Sequence, residues 1–385
     1  MDINNYVLDT ILSKLQKSNV HSTLAEDAKN SCTALSAAEN LLDFKCYDVY
    51  HVGTEGIVEY CIQLEAELLQ LGAIFKYQHH LLDIEKFDNI FVATVKDKRG
   101  EMLRLSSDTI VVATGKSSGF LLRSLMEKLG VRYEYNAIEL GIRVETVREG
   151  ITALSETHLD AKIKNRMGDD VEVRTFCMCD GGYLVNCYYD SYLKSEKITT
   201  ISGFSFREKK SQNANFGILV RKKFPEGLDP LSVQIGIIQA MNKAAKNKGT
   251  IVQRYEDFVK NRPTQQDMLA KNHVQSTLPD VTPVNLRWLL PEYVTSAVED
   301  FLQRLSLFAS NLIIDDTLLH APVWELCWDR VIAGEGLSTT VPGFYVAGDA
   351  LGWARGIVQA ASTGIFVARD ILSQRVPVAV TKTYP

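Results

Sequence analysis

Residues 339–372 read TTVPGFYVAGDALGWARGIVQAASTGIFVARDIL, and the reading of this stretch decides the fold. Val341-Pro342-Gly343 is a turn signal. Phe344 to Ala347 is a short, wholly apolar run with β-formers, as expected of a buried strand. Gly348-Asp349 ends it abruptly, and Gly352 and Gly356 flank a loop. From Ile357 the apolar positions Ile357, Val358, Ala361, Ile365, Ala368 and Leu372 follow helical spacing. Gly356 therefore sits near a helix N-terminus, where free backbone N–H groups and the positive end of the helix dipole favour an anion. A carboxylate at a strand end suits, as acceptor, the hydroxyl of a ribose or ribitol. A glycine-opened helix start suits a phosphate, or the negatively charged N1/O2 edge of a reduced flavin. The alternative is an ordinary strand–helix connection in which Asp349 caps the helix.

The string resembles the C-terminal FAD-binding signature of two-dinucleotide-fold flavoproteins. In particular it is similar to bacterial FAD-dependent dehydrogenases of the NAD(FAD)-utilising type, where the line runs G-D-G-G-x-x-x-G-I-x-x-A-x-x-G. Ala350 stands where glycine is common. Further stretches resemble the same family in the same order. In DTIVVATGKSSG, residues 108–119, an apolar strand stops at Thr114-Gly115, where a residue without Cβ lets backbone pass close to a cofactor. IELGIRVE, 138–145, resembles the family's DIGVRVE, and its Arg143 and Glu145 share one face of a strand. The expectation there is pairing across the domain crossover. VEVRTFCMCDGGYLVN, 171–186, resembles VRTFCMCPGGYVV, with Asp180 in place of proline. Cys177 and Cys179 project to one side of that strand at a Cα separation of roughly 6.6 Å, near the upper limit for a disulfide. Free thiols packed near the active site are expected, with a redox or nucleophilic role as the alternative. Gly181-Gly182 then turns the chain into a returning strand of a hairpin. SQNANFGILV, 211–220, places Asn213 and Asn215 on one face, suited to a flavin pyrimidine edge, to a substrate carbonyl, or to strand-end turns. His51-Val52-Gly53-Thr54 matches an H-x-G-T that precedes a helix in the family, and His51 either faces the flavin or makes a loop hydrogen bond.

The resemblance implies an α/β, FAD/NAD(P)-binding two-dinucleotide-type fold. Residues 1–135 and 335–385 would form the FAD-binding α/β domain, and 136–334 an inserted mixed α+β domain for the substrate. It implies FAD held by Thr114, Gly115, Gly348, Asp349, Arg355, Gly356, Ile357 and Val358. Cys177, Cys179, Asn215 and Trp353 would face the reaction, a hydride transfer between a small organic substrate and the flavin. Trp324, Trp328 and His320 would lie near the cofactor end.

One family element is not found. An FAD-binding fold of this kind opens with a strand, G-x-G-x-x-G and a helix. The first glycine here is Gly53, and no glycine triplet at that spacing occurs before residue 120. The fold is therefore expected to be incomplete at the N-terminus. The pyrophosphate cradle would come from a partner subunit or from a second copy of the chain, and an obligate oligomer is expected. The other readings are a non-catalytic homologue acting as a structural or regulatory subunit, and an enzyme using the cleft for a different ligand.

The rest of the chain sets bounds. Its 385 residues allow two or three domains. A net charge of −5 gives no electrostatic case for nucleic acid. No apolar run approaches the roughly 20 residues that cross a membrane. MDINNYVLDTILSK lacks the basic and apolar regions of a signal peptide. Seven scattered cysteines suggest reduced thiols in the cytoplasm. No His, Cys, Asp or Glu spacing points to a metal. Helices are expected over residues 1–45, over 54–71 with a strand at 73–77, and over most of 230–310. The segment 313–330 is expected to return to the first domain.

Overall fold

The structure is a computed structural model that describes residues 2–15, 20–29, 42–137, 139–190, 197–246, 249–309, 311–325 and 329–375. The chain opens on α1 (Ile3–Ser13), whose N-cap Asp2 accepts from the Asn4 amide at 2.9 Å. Strands β1 (His21–Thr23), β2 (Asp43–Lys45) and β3 (Val49–His51) follow, with β1 and β3 paired antiparallel. Helix α2 (Gly53–Gln70) leads to a three-stranded antiparallel meander, β4 (His79–Phe87), β5 (Ile90–Asp97) and β6 (Met102–Ser107). The β5–β6 turn is closed by Asp97, whose Oδ1 accepts from the amides of Arg99 and Glu101, both at 2.8 Å. Then come β7 (Ile110–Val112), a short 3₁₀ turn, and α3 (Gly119–Leu129), which stops at Gly130 in the left-handed region.

After β8 (Tyr133–Glu134) the chain builds a larger unit from β9 (Glu139–Val147), α4 (Arg148–Thr157), β10 (Lys162–Met167), β11 (Val171–Cys179), β12 (Tyr183–Asp190), β13 (Lys197–Phe204) and β14 (Asn213–Lys222). Helix α5 (Pro230–Ala244), β15 (Thr250–Arg254), β16 (Val281–Pro283), α6 (Glu292–Phe308) and β17 (Leu318–Glu325) complete it. Eight strands form one sheet in the order β16-β15-β17-β9-β14-β11-β10-β2, antiparallel except for β15–β16. Alternation decides its two faces. Leu140, Ile142 and Val144 of β9 join Phe216, Ile218 and Val220 of β14 beneath α6 (Phe301, Leu302) and α5 (Ile238, Met241). On the opposite face Leu184 of β12 and Ile201 of β13 pack on Leu219 and Val323. The β12–β13 ribbon thus lies over the polar residues of β9, β14 and β17.

The chain then returns through β18 (Arg330–Val331), paired with β8, to β19 (Phe344–Val346) and α7 (Ile357–Arg375). β19 pairs with β7 in parallel, Ile110 opposite Phe344 and Val112 opposite Val346. Around this pair sits a second core of Ile84, Phe91, Leu122, Leu125, Met126 and Phe344. Helices α1 and α2 pack with α7 through Val7, Ile11, Ile57 and Val358.

Several expectations change here. Residues 73–77 are not a strand; Ile74 is 84% exposed and finds no sheet to join. The 230–310 segment is interrupted by β15 and β16, because a short apolar run such as TIVQR reads equally as strand or helix without its neighbours. Residues 318–325 do not return to the first unit but lie as β17 inside the large sheet. β11 and β12 turn at Gly181-Gly182 yet do not pair with each other: β11 pairs with β10 and β14, β12 with β13. β2 joins the edge of the large sheet at β10. Of the helix expected over 24–42, residues 25–29 are helical and 30–41 lie outside the described residues. Cys46 is disulfide-bonded, so the expectation of reduced thiols fails at that position. Cys61, Cys177, Cys179 and Cys187 are free. Among the described residues no helix is long and apolar enough to cross a membrane.

Candidate active site

The parallel register of β7 and β19 brings their carboxyl ends level. The Ala347 amide donates to the Val112 carbonyl at 3.0 Å, so Thr114-Gly115 and Gly348-Asp349 emerge side by side. Gly115 and Gly348 have φ of +65° and +70°, and a Cβ on either would meet nothing within 4 Å. Glycine is demanded by the backbone conformation, and the space beside both is open. The Gly348 amide donates to Thr363 Oγ1 at 2.6 Å, which ties the strand end to α7. Gly356, at φ +95°, opens α7.

Asp349 is half-buried, and its carboxylate caps nothing: no hydrogen bond or ion pair holds it among the described residues. Burial pushes its pKa up, and nearby Lys116 opposes this only in part. Lys116 is itself ion-paired to Glu325 at the end of β17. The helix-capping alternative for Asp349 is therefore not what the fold adopts.

The remaining cofactor candidates lie differently. Ile357 is 53% exposed, while Val358 packs toward α1. Arg355, inside the loop between Gly352 and Gly356, sends its Nη1 to within 3.1 Å of Glu139 Oε2, on a carboxylate already gripped by Arg174 at 2.5 and 3.0 Å. Burial raises the Glu139 carboxyl, but the two guanidinium groups outweigh it and hold it below the usual range. Trp353 Nε1 donates to the Val331 carbonyl at 2.8 Å, and the Arg330 guanidinium lies 4.3 Å over its ring, so the indole is fixed against β18.

Cys177, Cys179 and Asn215 come together under the β12–β13 ribbon around Arg143, a guanidinium with no exposed surface. Arg143 Nε and Nη2 donate to Asn215 Oδ1 at 2.8 and 2.6 Å. Nη2 also lies 2.6 Å from the Cys177 carbonyl and 3.3 Å from Cys179 Sγ. A Cβ on Gly203 would sit 1.9 Å from Arg143 Nη2, so only glycine lets β13 cross here. Arg143 Nη1 and Asn215 Nδ2 are buried without a hydrogen-bond partner among the described residues. One turn of the sheet away, Glu145 accepts from Asn213 at 3.0 Å, from Thr277 at 2.6 Å and from His320 at 3.1 Å. Burial pushes Glu145 up, and these bonds reverse the shift. Arg143 and Glu145 do not pair with each other; each bonds a diagonal neighbour on the next strand. His320 and Trp324 lie buried in this sheet, Trp324 donating to Gln234 at 2.9 Å, and Trp328 is outside the described residues. His51 Nδ1 accepts from the Gly53 amide at 3.1 Å, which is the loop hydrogen bond.

Lys116 links the two clusters. It faces Asp349 on one side, and with Arg143 it is a cation within electrostatic reach of the Cys187 thiol, whose pKa burial pushes up. Sequence reasoning missed Lys116, Glu139 and Arg174. For Glu139 the available signal was its place on the same face of β9 as Arg143 and Glu145, at positions 139, 143 and 145. Among the described residues no three His, Cys, Asp or Glu side chains are grouped to hold a metal.

The family described as "FAD-dependent protein, C-terminal domain-like" matches residues 137–323, the unit built on the large sheet. An uncharacterised protein of Clostridium beijerinckii is 24% identical over 357 residues, 84% of this chain and 62% of that relative. The chain thus spans less than two thirds of the curated relative it matches. Among solved structures, a flavoprotein/dehydrogenase from Cytophaga hutchinsonii aligns at TM-score 0.34 and 10% identity, covering 83% of this chain and 55% of that one. An anhydrotetracycline hydroxylase from Streptomyces rimosus aligns at 0.33 and 10%, covering 90% and 45%. A p-nitrophenol 4-monooxygenase from Pseudomonas putida aligns at 0.32 and 9%, covering 89% and 57%. Through residues 137–323, a little under half of its length, the chain is similar to the FAD-dependent protein family.

Proposed function

We propose that this chain is the substrate-bearing part of an FAD-dependent oxidoreductase of dehydrogenase type. The observation that carries the reading is the unpartnered, half-buried Asp349 carboxylate at the level carboxyl ends of two parallel strands, beside two glycines that leave open space. Ligands of open α/β sheets bind at such strand ends. The residues fit the ribityl and ring end of FAD. Asp349 would accept from ribityl hydroxyls, and Gly115 and Gly348 would admit the cofactor to backbone distance. The first turn of α7 would set about half a positive charge beside the pyrimidine edge, favouring the anionic reduced ring. The residues do not supply the pyrophosphate end: nowhere among the 24 glycines do three fall at i, i+2 and i+5. That cradle would come from a partner subunit. The half-exposed β7, whose Val111 shows 44% of its surface, supports this, since parallel strands are normally buried on both faces.

When bound, the flavin supplies a two-electron acceptor for hydride. The protein's share is orientation and charge. Lys116, ion-paired to Glu325, lies within electrostatic reach of Asp349 and Cys187. A second reading, a non-catalytic homologue serving as a structural or regulatory subunit, is favoured by the missing glycine triplet.

Titration of FAD and of riboflavin into the purified chain tests the proposal. Both are expected to bind within about tenfold of each other, because the site meets the end they share. Asp349→Ala is expected to weaken both by about tenfold or more, the loss of charged hydrogen bonds. Binding that requires the adenosine diphosphate half, or that ignores Asp349, would contradict the reading.

A further inference from the structure

Cys177 and Cys179 stand closer than a regular strand allows. β11 follows the register of β14 as far as Phe176 opposite Gly217, and resumes it at Cys179 opposite Asn215. The extra residue makes a β-bulge, with Cys177 in the left-handed region at φ +48°. The bulge is held in place. The Met178 amide donates to Asp160 Oδ1 at 3.0 Å, and the Tyr47 hydroxyl donates to Asp160 Oδ2 at 2.6 Å. The result is an Sγ–Sγ separation of 3.9 Å between two free thiols.

Their surroundings are equally specific. Arg143 has no exposed surface and lies 3.3 Å from Cys179 Sγ, and its Nη1 has no hydrogen-bond partner among the described residues. A buried cation with unused donor capacity stabilises negative charge beside it. Cys179 is 4% exposed, whereas Cys177 keeps part of its surface in solvent. The hydrogen bond from Cys179 and the charge of Arg143 pull the Cys177 thiol down to about 6, while the same bond and burial push Cys179 up. The bulge therefore sets the lower-pKa thiol on the more accessible of the two residues. No third metal-ligating side chain joins them among the described residues.

We propose that Cys177 and Cys179 form a redox-active dithiol that exchanges with external disulfides, with Cys177 the attacking sulfur, Cys179 the resolving one and Arg143 the positioning cation. The Cys177 thiolate attacks one sulfur of a disulfide RSSR. A Cys177–SR bond forms, the RS–SR bond breaks, and the first thiolate leaves. Cys179 gives up its proton to that thiolate or to solvent, and its sulfur attacks Cys177. The Cys177–Cys179 bond forms and the second thiolate leaves. The pair is oxidised by two electrons and the external disulfide is reduced to one thiol and one thiolate. The sulfurs must close from 3.9 Å to about 2.0 Å. This chemistry does not depend on the flavin reading.

The test equilibrates the full chain in glutathione buffers of graded oxidation, quenches with an alkylating reagent, and follows the tryptic peptide 175–194 by mass spectrometry. Cys187 lies on the same peptide, so the work is done in a Cys187→Ser background. The peptide is expected to switch between a doubly alkylated form and an unalkylated form two hydrogens lighter than the unmodified dithiol peptide, with a two-electron dependence on the glutathione ratio. Cys179→Ser is expected to accumulate a glutathione adduct at Cys177, at least tenfold faster than at the exposed Cys61. The proposal is overturned if both cysteines stay alkylatable in fully oxidised glutathione. It is overturned equally if Cys177 in the Cys179→Ser chain reacts no faster than Cys61. The parent titration stands even where the Cys179→Ser chain does not fold.

Discussion

Asp349 makes the folded chain less stable at neutral pH. Burial raises its carboxyl pKa, and Lys116, paired with Glu325, offsets this only in part. A carboxyl whose folded pKa is raised favours the protonated acid in the folded state. Its contribution is fully present below the unfolded value, near pH 4, and is lost as pH rises through the folded value. Asp349→Asn is therefore expected to raise the thermal midpoint at pH 7, and the gain should vanish as the pH is lowered below about 4. Differential scanning calorimetry across that range checks the sign; a lowered midpoint at pH 7 would mean the carboxylate has a partner after all. A residue that costs stability and touches nothing is the mark of a binding group. Glu139 and Glu145 show the opposite pattern, burial outweighed by Arg174, Arg355 and His320. The Gly348-Asp349 motif and the paired face of Arg143 and Glu145 were legible in the sequence. The partners were not, because Arg143 reaches Asn215 and Glu145 reaches His320 through sheet register, which period-two alternation does not specify.

At the scale of elements, the informative one is the β7–β19 pair. Both strands were legible as apolar runs ended by Thr-Gly and Gly-Asp. That they lie parallel and adjacent is a property of topology, which local sequence does not carry. Two parallel strands alone make a small sheet, and β7 pairs on one side only among the described residues. Helix α2 behaves likewise. The helix expected over 54–71 forms, yet its Val58, Ile62 and Leu69 are 53%, 62% and 51% exposed, and Leu71 just past its end is 82% exposed. Val111→Lys should change the stability of the isolated chain by no more than about 0.5 kcal/mol, as for a surface site. The same change should abolish self-association or capture of the cradle-bearing subunit, read by multi-angle light scattering. Association unchanged by the lysine, or a monodisperse monomer of the parent chain at micromolar concentration, would contradict the incomplete-sheet account.

The whole molecule is two cores joined by charge. Arg123 bonds Asp329 at 2.5 and 2.6 Å and Asp229 at 2.7 Å, Lys116 pairs with Glu325, and Arg355 with Glu139. These links run from the small α/β core to the large sheet and set the Asp349 cluster against the Cys177–Arg143 cluster. Family resemblance made the two cores legible as an order of motifs. It did not disclose the exchange of β2 and β17 into the large sheet, since a short strand's sequence names no partner. The central claim is that this arrangement holds a flavin. The most direct measurement is the visible absorption spectrum of natively purified protein, alone and co-expressed with a glycine-triplet subunit. The account predicts flavin bands that are released on denaturation and are lost or weakened in Asp349→Ala. A colourless protein in every combination would contradict it and leave the non-catalytic homologue.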